Sequence, residues 1–500
     1  MRRLAHGSPL LVEEQIMPGS AATAVDAGTV ACPPPTHFDY LFPDLQNSPD
    51  DLLPNDSSTA QTLIDLGKTM SEPGSIGPEP ADPALDSAIP SVYSYFGQFI
   101  THEIVLEPTK TGELGPKTVP LADSVIPTLA NTRTALLDLD SIYGPMLDDN
   151  GKCQAVPLKG AEMVVARAGN SKVDGTDLPR ELKSPFTARI GDRRNDANLI
   201  TSQMHLAFLR AHNAIVRLGH SFPDAQQLLR QHFQWLVVSD YLPRVVDHEV
   251  LESVQQGTIN IKRLNGKPFM PVEFSAAAFR FGHSMPRSRY DYNASYPNVR
   301  LSDLFLPHAG GYRNVLEEWI IDWSNFIPGG ANRARRIDTR LVDPLSHLID
   351  QNGKPIMLSL AGHDLLRGYL LRLPTGQAVA RTLKVRAMSA SEIESIAGEV
   401  NKKQAEILSK SGMSSRTPLW FYILAEAAHF KSGLGLGPVG STIVASVLIW
   451  LIRNSKHSIL RHPDWIPTLS AQGQFDLTDL FNLAGVNFSS NKGDKSNGNQ

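Results

Sequence analysis

The sequence predicts a mainly α protein, one large helical domain with long irregular connections and very little strand. Three observations carry this reading. Apolar residues recur at helical spacing through 91–106, 199–218, 224–238, 276–285, 378–383, 390–408 and 419–430. Strand-like alternation is scarce, with 258–261 the best short candidate. No internal repeat appears at solenoid spacing. Five hundred residues would suit roughly three domains of ordinary size, but the helical patterning from 91 to 480 points to a single unit. With 41% hydrophobic and 20% charged residues, the composition excludes wholesale disorder and a bare coiled coil.

In chain order, the first segment is 1–90. Thirteen of the 36 prolines fall there, including Pro33, Pro34 and Pro35, and helical periodicity never lasts long, so an arm wrapped on the surface is expected. Arg2 and Arg3 are followed by Glu13 and Glu14 before any apolar core develops, so no cleavable secretion signal is expected. The 199–218 segment is amphipathic, with Leu199, Met204, Ala207, Phe208, Ala211 and Ile215 among its apolar residues. The longest uncharged stretch, 432–452, carries four glycines and Pro438 in its first half. Only 443–452 is densely apolar, which makes it a buried helix too short to span a bilayer. The last segment, 481–500, reads as a flexible tail, since 489–500 has no apolar side chain to offset its ordering entropy.

Lys plus Arg number 47 against 51 Asp plus Glu, a net charge of −4, so no electrostatic footprint for nucleic acid exists. Cys32 and Cys153 are the only cysteines, too few for a disulfide framework or a four-thiolate metal site. Whether they pair is left open at this level, as is the oligomeric state.

Five segments carry candidate chemistry. In SYFGQFITHEIVL, Gln98 and His102 stand four apart, which on a helix stacks them on one face. In TALLDLDSIYG, Thr134, Asp138 and Asp140 alternate with the Leu136 carbonyl between them, a set of hard oxygen donors that suits calcium, with Glu103 as a fifth. Arg193 and Arg194 stand just ahead of the 199–218 helix, within reach of a cleft. In AAAFRFGHSMPRSRY, Arg280 and His283 share a helical face between Phe279 and Phe281, and Gly282 lets a flat body approach closely. In LAGHDLLRGYLLRLP, Asp364 and Arg367 stand three apart, and an aspartate in so apolar a run needs a buried hydrogen-bond partner. Taken singly, each has a plainer explanation: a surface histidine, a solvated acidic turn, a surface arginine, a satisfied core histidine.

Taken together, FGQFITHEI, RTALLDLDSIYG, ARIGDRRNDANLI with LAFLRAHN, AFRFGHSM and LLRGYLLRLPTGQ resemble the animal-type haem peroxidases of the peroxidase-cyclooxygenase superfamily in both order and spacing. The resemblance covers roughly 38–480, and TPLWFYILAEA with GLGPVGSTIVASVLIWLI looks like its microbial members. It implies a single helical haem-peroxidase domain. It also implies that His102 is the distal histidine, Gln98 its neighbour over the haem, Arg194 the distal arginine and His283 the proximal iron ligand. Arg280 and Arg367 match arginines beside the propionates. Asp364 stands where the family usually has an asparagine that accepts the proximal N–H, and a carboxylate there gives the ligand more imidazolate character. The implied calcium ligands are Thr134, the Leu136 carbonyl, Asp138 and Asp140, with Glu103 replacing the usual aspartate. Mammalian relatives tether haem by ester bonds from two carboxylates, and here those positions hold Thr101 and Ala197; Asn198 likewise lacks the thioether that one relative uses. A non-covalent haem b is therefore expected.

The activity implied is reduction of hydrogen peroxide with a small organic donor or a halide as reductant. Two other readings are weighed beside it. A fatty-acid dioxygenase of the same superfamily would add a radical-forming tyrosine, usually preceding a Trp-His pair, and no Tyr-x-Trp-His occurs here. A non-catalytic haem carrier would have no use for an intact His102 and Arg194.

Overall fold

In the computed structural model the described residues are 30–72, 84–107, 114–147, 152–167, 175–181, 187–305, 315–348, 358–470 and 473–486. The expectations for 1–29 and for most of the tail lie outside them. Helices dominate, and the longest are Leu199–Arg217 and Pro438–Asn454. The latter is buried along nearly its whole length. No helix among the described residues is long and apolar enough to cross a membrane.

Local chemistry places the helix starts. Asn198 accepts the Thr201 N–H at 2.9 Å, and Ser359 accepts the Gly362 N–H at 3.1 Å to open Leu360–Leu370. Both satisfy backbone donors that the first helical turn leaves orphaned. The helix expected over 390–408 is two helices, Ala390–Val400 and Lys402–Ser411. The break is Asn401, extended at φ −159° and ψ 119°, whose side chain caps the second helix by accepting the Lys403 N–H at 3.0 Å.

Several expectations are corrected. The expected strand at 258–261 is a turn closing the His248–Gln255 helix, with the Thr258 and Ile259 N–H groups both donating to the Ser253 carbonyl. Strands exist but are short: Thr36–Asp39 pairs antiparallel with Ala130–Asn131 and parallel with Met270–Pro271. Part of the proline-rich arm is built into the core, although 30–35 is exposed. Phe38, Tyr40, Leu41 and Phe42 are buried, and the Glu273 carboxylate accepts the N–H groups of Leu41 and Phe42 at 2.8 and 3.1 Å. That segment also holds the helix Thr59–Thr69, which crosses Leu360–Leu370 so closely that a Cβ on Gly67 would lie 2.5 Å from the Gly362 Cα. Cys32 and Cys153 form a disulfide that ties the arm to the 152–167 region.

Two departures from α geometry position the site. The helix Phe222–Trp235 runs into a π-helical turn, Leu236–Tyr241, that aims Tyr241 inward. The 276–285 segment, expected as α, is a 3-10 helix over Ala278–Ser284. At three residues per turn, side chains three apart eclipse, so Arg280 and His283 stand one above the other.

Candidate functional site

The 3-10 segment and Leu360–Leu370 meet at Asp364, which is fully buried. Its Oδ2 accepts from Nδ1 of His283 and its Oδ1 from Nη1 of Arg280. Burial alone would raise the Asp364 carboxyl, but the Arg280 guanidinium charge and the hydrogen bond from His283 outweigh it and hold the group well below the usual carboxylate range. An ionised acceptor fixes the tautomer: Nδ1 of His283 carries the proton, and Nε2 carries the lone pair. Trp420 seals this wall, with its Nε1 donating to the Arg280 carbonyl at 3.1 Å and its ring 6.4 Å from that of His283.

On the helix Val92–Ile104, His102 is fully buried and its Nδ1 lies 2.7 Å from Oδ1 of Asn195. An amide oxygen only accepts, so here too Nδ1 donates and the lone pair is left on Nε2. Nδ2 of Asn195 in turn donates to Nδ1 of His205 at 3.0 Å, and burial pushes His205 down to about 3, so it stays neutral. Asn195, Asp192 and Arg133 were not singled out from the sequence. The signal available was adjacency, since two of the three lie within two residues of Arg194.

Arg194 is locked by its neighbours. Its Nε and Nη2 donate to Asp192 at 3.0 and 2.6 Å, and Nη2 also reaches the carbonyls of Val105 at 2.7 Å and His102 at 3.2 Å. Arg133 donates to the same carboxylate at 2.5 Å. Burial would raise Asp192, but the two guanidinium charges hold it well below the usual range. Nη1 of Arg194 is buried with no hydrogen-bond partner, which marks a place for an acceptor from outside the chain.

Gln98 and Thr101 line a cleft together with His283, Phe279, Gly282 and Tyr241. Space beside Gly282 is open, with nothing within 4 Å of where a Cβ would stand. Oε1 of Gln98 accepts from Asn198 at 3.3 Å, and the Thr101 hydroxyl donates to the Gly97 carbonyl at 3.0 Å. A second, smaller cavity is lined by Arg280 and Arg367 with Val105 and Glu107. Arg367 pairs with Glu107 there, and burial pushes its guanidinium down to about 10. Arg280 thus reaches both the proximal carboxylate and this second cavity.

The loop of alternating oxygens is coiled through two residues at positive φ, Ala135 at 51° and Leu139 at 57°, a conformation that costs free energy without glycine. The Thr134 hydroxyl is buried without a partner, and Oδ2 of Asp140 accepts the Thr134 N–H at 2.9 Å. Asp138 has one oxygen on the Ser455 hydroxyl. Glu103 departs from the expected set: both its oxygens are taken by Ser141, from the hydroxyl and from the N–H at 3.1 Å, and burial with the nearby Asp140 charge pushes it up to about 8. No three His, Cys, Asp or Glu side chains converge on one point among the described residues. The remaining donor set, with its orphaned hydroxyl, fits a hard cation of few charged ligands.

The sequence pattern of the animal haem peroxidase family matches residues 117–446. The chain belongs to the animal haem peroxidase family. That match takes in Arg194, Arg280, His283, Asp364 and Arg367, while the helix carrying Gln98 and His102 precedes it. Heme peroxidase 2 of Caenorhabditis elegans is 24% identical over 302 residues, covering 46% of this chain and 41% of its own. Chorion peroxidase of Drosophila melanogaster is 22% identical over 210 residues, covering 37% and 24%. The chain therefore spans less than half the length of these peroxidase relatives. The fold is similar to peroxidase A of Dictyostelium discoideum, with a TM-score of 0.56 at 16% identity over 85% of this chain and 88% of that one. It is also similar to the fatty acid alpha-dioxygenase of Oryza sativa, with a TM-score of 0.52 at 12% identity over 80% and 74%.

The residues present fit the haem that this family implies. A cleft lined by His283 with open space beside Gly282, a buried N–H of Arg194 without a partner, and a second cavity lined by Arg280 and Arg367 are of kinds that suit an iron porphyrin with two carboxylates.

Proposed function

We propose that this chain binds haem b without a covalent link and reduces hydrogen peroxide, oxidising small organic donors or halides. The observation that carries the reading is a pair of histidines fixed in the same tautomer by different acceptors, His283 by Asp364 and His102 by Asn195. One acceptor is a carboxylate and the other a neutral amide. The first suits a metal ligand of enhanced basicity, the second a proton shuttle that must stay neutral.

His283 would hold the iron through Nε2, and Arg280 and Arg367 would face the propionates. The bound haem supplies the redox chemistry of peroxide reduction. His102 takes the proton from the inner peroxide oxygen at Nε2 and returns it to the outer one. Arg194 is held in place by Asp192, and its buried Nη1 donates where negative charge builds on the departing oxygen. Thr101 and Asn198 spend their polar groups on Gly97, Thr201 and Gln98, and Ala197 has none to offer. Nothing in those three positions forms an ester or sulfonium link. Calcium would take the Thr134 hydroxyl, the Leu136 carbonyl, Asp138 and Asp140, with Glu103 bracing Ser141 beside it.

The second reading is oxygenation of a fatty acid, favoured by two tyrosines, Tyr95 and Tyr241, on the wall of the same cleft. Peroxide-driven guaiacol oxidation and oxygen uptake on linoleate, measured side by side on haem-loaded protein, separate the two. The proposal expects the first without the second. Oxygen uptake with no peroxidase turnover would overturn it, and full haem content in His283→Ala would overturn the ligand assignment.

A further inference from the structure

From the cleft, a file of aromatic rings leads to the surface. Tyr95 lines the cleft, and its hydroxyl donates to that of Tyr290 at 3.0 Å, with ring centroids 5.9 Å apart. Tyr290 stacks on Phe326 at 5.5 Å, and Phe326 meets Tyr292 at 6.2 Å. Tyr292 lies 6.3 Å from Trp319 and donates its hydroxyl to the Trp319 carbonyl at 2.9 Å. Trp319 stacks on Tyr296 at 3.8 Å. The first four rings are buried, while Trp319 and Tyr296 are half-buried and line a surface groove with Pro297, Arg300 and Asp303.

Packing alone does not call for this composition. A second buried aromatic cluster, Phe96, Phe99, Phe208 and Phe233, has centroids 4.6 to 6.5 Å apart with phenylalanine at all four positions, and meets an oxidisable ring at its edge, Tyr241, 5.8 Å from Phe96. The file from Tyr95 instead buries three phenol hydroxyls, each of which needs a polar partner to offset desolvation. Tyrosine and tryptophan give up an electron far more readily than phenylalanine, and only Phe326 interrupts the oxidisable rings, as a single bridge.

We infer that this file conducts electrons inward and that the groove at Trp319 and Tyr296 is a second oxidation site for aromatic donors too bulky to enter the cleft. The inference rests on the peroxidase reading above. Hydrogen peroxide takes two electrons and two protons at the haem to become two waters. Two surface phenols each send one electron inward along the file and one proton to solvent, leaving two phenoxyl radicals. Each ring that the electrons cross ends in the redox and protonation state in which it began.

The test uses haem-loaded protein with two donors, free guaiacol and a phenol coupled to high-molecular-weight dextran. Trp319→Phe with Tyr296→Phe should lose oxidation of the dextran-bound phenol and keep guaiacol turnover and peroxide consumption. Peroxide with a nitroso spin trap, followed by peptide mapping, should place adducts on Trp319 or Tyr296 in the native chain and not in Tyr290→Phe. Equal oxidation of the dextran-bound phenol by native and doubly substituted protein, or adducts elsewhere only, would overturn the inference. Absence of guaiacol turnover in the native protein would instead bring down the peroxidase reading on which it rests.

Discussion

Asp364 and Asn195 differ in charge, and that difference assigns the two histidines. Replacing Asp364 with Asn keeps the acceptor but removes the charge, so the iron should become easier to reduce, while activity falls about 10- to 100-fold. A potentiometric titration reads the first effect, and an unchanged midpoint would contradict the role given to the carboxylate. Asn195→Ala should release the His102 tautomer and slow the reaction with peroxide at unchanged haem content. In the double variant with His102→Ala no further slowing should appear, because Asn195 acts only through His102. His102, Arg194 and His283 could be proposed from the sequence because their motifs carry residue types in fixed order. Asn195 and Arg133 were not, because a neutral amide and one more buried arginine look ordinary until folding brings them to His102 and Asp192. At Glu103 the residue type suited a metal, and folding adds what the sequence could not show, that both its oxygens meet Ser141.

At the scale of elements, the crossing of Thr59–Thr69 over Leu360–Leu370 sets where Asp364 and Arg367 stand. Gly67→Ala would drive a Cβ into the Gly362 backbone, and overpacking of about 1–3 kcal/mol should exceed the roughly 1 kcal/mol of helix propensity gained. Urea unfolding should show the loss, whereas Gly115→Ala, with nothing within 4 Å of its Cβ, should be neutral. Glu426 gives a pH dependence. Burial pushes its carboxyl up to about 8, against the opposing pull of the Val439 and Gly440 N–H groups. A carboxyl raised in the folded state binds more protons there than when unfolded, so its contribution is full below the unfolded value and is lost as pH rises through 8. Glu426→Gln should flatten that fall in unfolding free energy across pH 5 to 9, and an unchanged slope would contradict the assignment. Helix periodicity located most long helices but could not tell a 3-10 turn from an α turn over seven residues. It also missed Thr59–Thr69, because the surrounding prolines dominate the composition there.

For the whole molecule, the sequence placed the helical class and the family resemblance, and the family match confirms both. What it missed was how the amino-terminal segment closes the structure, since the buried strand Thr36–Asp39 and the Cys32–Cys153 disulfide depend on partners far along the chain. Two loading experiments follow. Acidified butanone should extract intact haem b completely, and haem-modified peptides would show that some side chain forms a link. Asp140→Asn should lose calcium by elemental analysis while Glu103→Gln retains it, and loss of calcium in both would return Glu103 to the ligand set. The account turns most directly on the second-order rate at which haem-loaded protein reacts with hydrogen peroxide, followed by stopped-flow absorption. His102→Ala should lower that rate by about 10²-fold or more at unchanged haem content. An unchanged rate would contradict the central claim that His102 moves the peroxide proton.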